Sequence, residues 1–169
     1  MEGAEMREFG SLGALGRFLE VAAAQALEQE ATMRRAARVV EKAAKAKIRH
    51  YQDASGPFVG WGELADSTKA DRVRLGYTEN DPLLRSGALQ AGITHAANPV
   101  LAVVGVLESS PVADIAEYSE LGTAKQPPRS YLGGAAADKA EKVAEIIGEG
   151  VALALVGKAV HLGRMAIGD

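Results

Sequence analysis

A chain of 169 residues with a net charge of −3 fits one folded domain and carries no bulk attraction for nucleic acid. Apolar residues make up 47% of it, much of that alanine, and aromatics only 5%, so the expected core is thin and draws stability from long helices and from neighbouring subunits. The absence of cysteine excludes disulfides, thiolate metal sites and cysteine nucleophiles.

The amino terminus, Met1-Glu2-Gly3-Ala4-Glu5, is acidic and lacks the basic-then-apolar layout of a signal peptide. The most apolar run, Gly150 to Gly157, falls far short of the roughly 20 residues that span a bilayer. A soluble chain made in a cytoplasm, with no membrane partner, is expected.

Residues 11–53 are expected to form one long helix. Leu15, Leu19, Ala22, Ala26, Met33, Ala37, Val40, Ala44, Ile48 and Tyr51 recur at steps of three and four and keep one stripe on one face. Gly16, and the polar pair Gln29 and Glu30, leave a kink or two helices open. Ser55-Gly56-Pro57 supplies the stop. A helix of this length is too long for a small domain to cover, so part of it meets another subunit or extends into solvent.

The same segment is basic. Arg34, Arg35, Arg38, Lys42, Lys45, Lys47 and Arg49 face one acid, Glu41. Such a run reads first as a solvated helix face, and second as an electrostatic footprint for phosphate. It lacks interleaved aromatics for base stacking, and no reader module follows it.

Phe58 to Gly62 is a glycine-rich aromatic connection in which Trp61, the only tryptophan, anchors the loop to the core. Ser67 or Thr68 caps a short helix through Leu75, and Gly76 ends it. Asp81-Pro82 pairs a cap with a proline at the first helical position, predicting a short buried helix carrying Leu83, Leu84, Ala88 and Leu89. The period then changes. Gly92–Ala96 and Val100–Leu107, separated by the turn signal Asn98-Pro99, read as an antiparallel pair of strands.

Ser110-Pro111 opens another helix, with Val112, Ile115, Ala116 and Ser119 on one side and Gly122 at its end. Pro127 and Pro128 force extended backbone before them, Ser130-Tyr131-Leu132 reads as a last strand, and Gly133-Gly134 as a hinge. Ala135–Ile167 is helical by composition, with an apolar patch at Val143, Ile146 and Ile147. Gly148, Gly150 and Gly157 each cost roughly 1 kcal/mol against alanine, placing a break near Gly148. The fold class is α+β: a long N-terminal helix packed with a small antiparallel sheet and short helices, then a C-terminal helix. One domain spans 1–169, divided into the long helix (1–57), an α+β core (58–133) and a helical tail (134–169).

No catalytic set stands out. His50, His95 and His161 fall on separate elements without a ligand-type neighbour one turn away. Glu117 and Glu120 lie one turn apart and could serve as paired carboxylates, but a solvent-facing helix explains them more simply. Gly148-Glu149-Gly150 follows no strand and is no dinucleotide fingerprint. No enzyme activity, cofactor or metal site is expected.

Four short patterns occur in order: Trp61 and Leu64 before a Ser67-Thr68-Lys69 helix start; Leu84-Arg85-Ser86-Gly87-Ala88-Leu89; Glu120-Leu121-Gly122-Thr123; and Pro127-x-Arg129-x-Tyr131-Leu132. In this the chain resembles the tail-completion and head–tail joining proteins of tailed phages, the virion morphogenesis group, over residues 58–133. The tail beyond Gly134 is outside the resemblance.

That resemblance implies a structural virion protein at the phage neck, assembled in the host bacterial cytoplasm, which joins head to tail or terminates the tail without catalysis or cofactor. Its implied partners are copies of itself in a ring, a hexamer or dodecamer, together with head connector or adaptor and tail-tube proteins, and packaged DNA without sequence preference. Gly122, Thr123, Pro127, Pro128, Arg129 and Tyr131 are the candidate contact surface, since prolines there reduce the entropy lost on docking. Arg34, Arg35, Arg38, Lys42, Lys45 and Arg49 are candidates for a DNA-facing lumen. The alternative is a nucleic-acid-binding accessory protein using the basic helix 34–49.

Overall fold

The computed structural model describes residues 11–166, and of residues 19, 22–28 and 154–166 the backbone alone. Eight elements follow one another: α1 (Leu12–Lys47), α2 (Asp66–Arg74), α3 (Ala88–Gly92), β1 (Ile93–Ala97), β2 (Ala102–Val106), α4 (Ala113–Leu121), α5 (Tyr131–Asp138) and α6 (Ala140–Ala166). The class is α+β, as the sequence pattern implies. Leu19, Ala22, Ala26, Gly157, His161 and Ile167, invoked above, lie outside the described side chains or residues.

Helix α1 begins at Ser11, whose extended backbone and hydroxyl cap the first turn by accepting the Ala14 N–H at 3.2 Å. Its 36 residues run about 54 Å as one helix, with no break at Gly16 or at Gln29, where the sequence left one open. Alanine, leucine and glutamate around those positions outweigh a single glycine's penalty. It ends six residues short of the predicted Asp53. The cause is tertiary: the Arg49 N–H is taken by the Pro82 carbonyl at 2.9 Å, and Arg49 turns to a left-handed φ of 89°. Ala36, Ala37, Ala44 and Ile48 are buried along its inner face, with Met33 and Val40 half-buried. The small alanines let the neighbouring elements approach α1 closely.

Strands β1 and β2 pair antiparallel, Ile93 opposite Val106 and Ala97 opposite Ala102. The Asn98 side chain holds the turn, accepting the N–H groups of Val100 (2.9 Å) and Leu101 (2.8 Å). Ile93, His95, Val104 and Val106 face inward against α1. Around them Ala44, Ile48, Trp61, Leu89, Ala116, Tyr131 and Ala135 complete the core, so Trp61 does anchor its loop.

Three helix starts differ from the expected ones. Ser67 and Thr68 lie inside α2, which begins after Ala65 without a side-chain cap. Asp81-Pro82 caps nothing: it forms a turn closed by the Leu84 N–H on the Asp81 carbonyl at 3.2 Å, and α3 starts only after Gly87, at φ 83°. The Asp81 carboxylate instead pairs with Arg49 at 3.4 Å, and Arg49 needs that segment beside it. Helix α4 starts after Val112 rather than at Ser110, and Ile115 on it faces solvent.

The largest departure is at 130–138. The expected strand Ser130–Leu132 and hinge Gly133-Gly134 are instead helix α5. The Glu120 carboxylate accepts the N–H groups of Leu132 and Gly133 at 2.8 Å each, satisfying the free donors of the first turn. Gly133 serves contact rather than bending. A Cβ on Gly133 would collide with the Phe58 ring, and one on Gly134 would meet the Lys47 side chain at 3.5 Å.

The break in the tail falls at Lys139, between α5 and α6, not at Gly148. Helix α6 runs antiparallel to α1: Asp138 sits at Lys47, Glu149 at Arg35, and Gly150 at Thr32. Ile146 is buried and Val143 and Ile147 half-buried in that contact, as the apolar patch implied. A Cβ on Gly150 would lie 2.5 Å from Thr32 Cγ2, so glycine sets the closeness of the crossing.

Candidate interface surfaces

Steps of about 100° per residue place Arg34, Arg35, Arg38, Lys42 and Lys45 within one arc of α1, roughly opposite the buried alanines. Most of that charge is already engaged. Arg34 pairs with Glu30, Arg35 with Glu149 at 3.1 Å, and Lys45 with Glu41 at 2.5 Å. Arg38 and Lys42 are exposed and form no ion pair with the described residues. Lys45 is only half-exposed. Arg49 lies beyond the helix end, tied to Asp81.

Lys47 leaves this face altogether. It is buried beneath α5, with Nζ 2.6 Å from Asp138 Oδ2 and 3.1 Å from the Gln52 side-chain oxygen. The Lys47 ammonium, then the Ser55 hydroxyl, hold the Asp138 carboxyl below the usual aspartate range. Lys45 and His95 do the same for Glu41, whose carboxylate joins α1 to the inner face of β1. His95 is thereby a partner of Glu41 within the fold. No group of His, Asp or Glu side chains suited to a metal ion occurs among the described residues.

The expected contact loop is divided. Thr123 and Pro127 are exposed, and the Thr123 hydroxyl accepts the N–H groups of Lys125 (3.2 Å) and Gln126 (3.1 Å), fixing a tight turn. Gly122, at φ 78°, closes α4 with its N–H on the Tyr118 carbonyl; a Cβ there would stand 2.8 Å from the Pro128 nitrogen. Arg129 and Tyr131, proposed as surface, are buried, at 5% and 0% exposure. The Arg129 guanidinium donates to the Gly62 carbonyl at 2.9 Å and the Glu63 carbonyl at 3.4 Å, and the Arg129 backbone N–H donates to the Ser119 carbonyl at 2.7 Å. It clamps the Trp61 loop to α4. Burial pulls its pKa down from the usual guanidinium value and pushes the Tyr131 phenol up to about 12. These two residues act inside the subunit, and of the six candidates only Thr123 and Pro127 are exposed.

Two grooves lie beside this clamp. One, of about 450 Å³, is apolar and runs between α1, β2, α5 and α6, lined by Met33, Ala36, Val40, Val104, Leu132, Val143 and Ile147 among others. The other, of about 500 Å³, lies between β2, α4 and the start of α5. Its apolar wall includes Val106, Ala113, Ala116, Leu121, Tyr131 and Leu132, and Glu108, Asp114, Glu117 and Glu120 also line it. Glu120 is engaged by the α5 backbone, so the carboxylate pair Glu117–Glu120 is not two equivalent groups. Asp114, Glu117 and Glu120 repeat at three-residue steps, which puts them on one helix face. That spacing was the signal for this groove in the sequence.

No helix of the described residues is long and apolar enough to cross a membrane. No protein-family model, curated protein or solved structure matches this chain.

Proposed function

We propose that the chain is a structural subunit of a tailed-phage or phage-derived particle, acting at the neck as one member of a ring that joins head to tail or terminates the tail. One observation carries the reading: three of the four patterns that resemble the tail-completion proteins meet around a single centre. Arg129 binds the backbone beside Trp61, Gly122 packs on Pro128, and Glu120 caps the helix that starts at Tyr131. Residues spread across 58–133 thus form one mutually supporting unit. Assembly with neighbours is supported by the apolar surface left open. Val100, Leu101, Val103 and Leu107 are exposed around β2, and Ile115, Tyr118 and Leu121 on α4.

The test is electron microscopy of particles from a producing strain carrying an early stop codon in this gene. DNA-filled heads beside separate tails support a joining role, and irregular tail lengths support a terminator. Normal, joined, infectious particles overturn the proposal.

A second reading, an accessory protein that binds nucleic acid through α1, is favoured by the unpaired Arg38 and Lys42. It requires duplex binding at low salt that falls steeply as salt rises and is lost on neutralising Arg34, Arg35 and Arg38.

A further inference from the structure

We infer that the acid-lined groove between β2, α4 and α5 receives the basic face of α1 from a second copy of this chain. This names the two faces of the contact within the ring proposed above, and rests on that reading only for self-association.

Charge is left over on both sides. Glu108, Asp114 and Glu117 are exposed at the groove and form no ion pair with the described residues. Arg38 and Lys42 are the matching unpaired cations on α1. The chain therefore carries both halves of a complementary pair, on separate elements.

Geometry keeps the halves apart within one subunit. The buried face of α1 meets β1, β2, α5 and α6, whereas Arg38 and Lys42 are exposed and form no ion pair with the described residues of those elements. The groove lies between β2, α4 and α5, and neither Arg38 nor Lys42 lines it. A contact joining two different faces is heterologous, and repeats until it closes into a ring or runs on as a filament.

Dimensions agree as well. Arg38 to Lys42 spans roughly 6 Å of helix, and Asp114 to Glu117 roughly 4.5 Å, so the unpaired cations and carboxylates lie over comparable lengths. The groove wall is apolar at Val106, Leu121 and Tyr131, and needs an occupant with apolar as well as charged atoms. Arginine and lysine stems supply both, lying along apolar surface while their heads reach the rim. A helix laid in a groove is a common mode of recognition. Phosphate would meet the cations but would leave the acidic groove unsatisfied.

The experiment is sedimentation velocity of the full chain at low ionic strength over a concentration series. The parent chain is expected to associate, and salt to weaken that association because its charges lie at a solvated rim. Reversing the cations (Arg38→Glu with Lys42→Glu), or the acids (Asp114→Lys with Glu117→Lys), should each weaken association by at least about tenfold. All four positions are exposed, and circular dichroism with an unchanged unfolding midpoint shows that the variants are folded. Mixed in equal amounts, the two variants should associate again, since every junction between them joins opposite charges.

A parent chain that stays monomeric, variants that associate like the parent, or a mixture that stays monomeric each overturn the inference. Loss of duplex DNA binding in the Arg38→Glu, Lys42→Glu variant, with self-association unchanged, overturns it in favour of nucleic acid. Failure of the neck reading shows separately, as normal particles in the stop-codon strain beside a purified chain that still associates through these faces.

Discussion

Glu120 and Gly133, thirteen residues apart, are joined by a 2.8 Å hydrogen bond in which the carboxylate accepts the first-turn backbone N–H of another helix. Leu132 donates to the other oxygen at 2.8 Å, and the Ser130 hydroxyl donates to the Glu120 carbonyl at 3.0 Å. One acidic side chain on α4 thereby caps the start of α5. Replacing Glu120 with alanine should cost about 1–2 kcal/mol by equilibrium urea unfolding, and Glu120→Gln distinctly less, since it keeps one acceptor oxygen. A Glu120→Ala chain as stable as the parent would show that α5 forms without this cap.

Gly150 governs how closely α6 lies on α1. Alanine is the better helix former by about 1 kcal/mol, but its methyl would meet Thr32 at 2.5 Å. Gly150→Ala is therefore expected to destabilise by about 1–3 kcal/mol despite its propensity. Adding Thr32→Ala should recover part of the loss, giving a coupling in a double-mutant cycle that independent sites would not show.

Arg129 is a buried cation that holds two backbone carbonyls through one guanidinium nitrogen and leaves its Nε without a partner among the described residues. Its removal leaves the Gly62 and Glu63 carbonyls short of a donor, so Arg129→Ala should cost about 1–3 kcal/mol. The readout is specific, because the single tryptophan, Trp61, sits next to Gly62. Its emission should shift to the red as the loop loosens in the folded state. Lost stability with unchanged emission would place the effect of Arg129 elsewhere.

Acid should weaken the fold through two carboxylates. Glu41 and Asp138 have folded pKa values below their ordinary 4.5 and 3.8. Their contribution is therefore fully present above those values and is lost as the pH falls through the lower folded ones. The urea midpoint is expected to change little with these groups near neutrality and to drop below pH 4.5. In Lys47→Met the Asp138 carboxyl loses its main partner, so the chain should be less stable at neutral pH and show a shallower fall in acid. An acid profile identical to the parent's would remove Lys47 as the cause.

Periodicity and turn chemistry were enough to place α1, the hairpin and the class of fold, because those signals are local. The three- and four-residue stripe from Met33 to Ile48, Asn98-Pro99 between two β-branched runs, and Gly122 after α4 each act through the backbone around them. Trp61 could be placed in the core because little else in an alanine-rich chain fills space. Two of the misplaced elements, the end of α1 and the start of α5, are set by a distant partner. Pro82 takes the Arg49 N–H and ends α1 early, and Glu120 caps Leu132 and Gly133 so that Tyr131–Asp138 is helix.

The surfaces divide along the same line. The sequence showed where cations and carboxylates recur along each helix, since spacing alone puts Arg34, Arg38 and Lys42, or Asp114 and Glu117, on one side. It could not show which charges were already neutralised. That depends on packing across the fold, which buries Lys47 against Asp138 and hides Arg129 and Tyr131 inside. A side chain's spacing is local, whereas its burial and its partners belong to whatever the rest of the chain brings beside it.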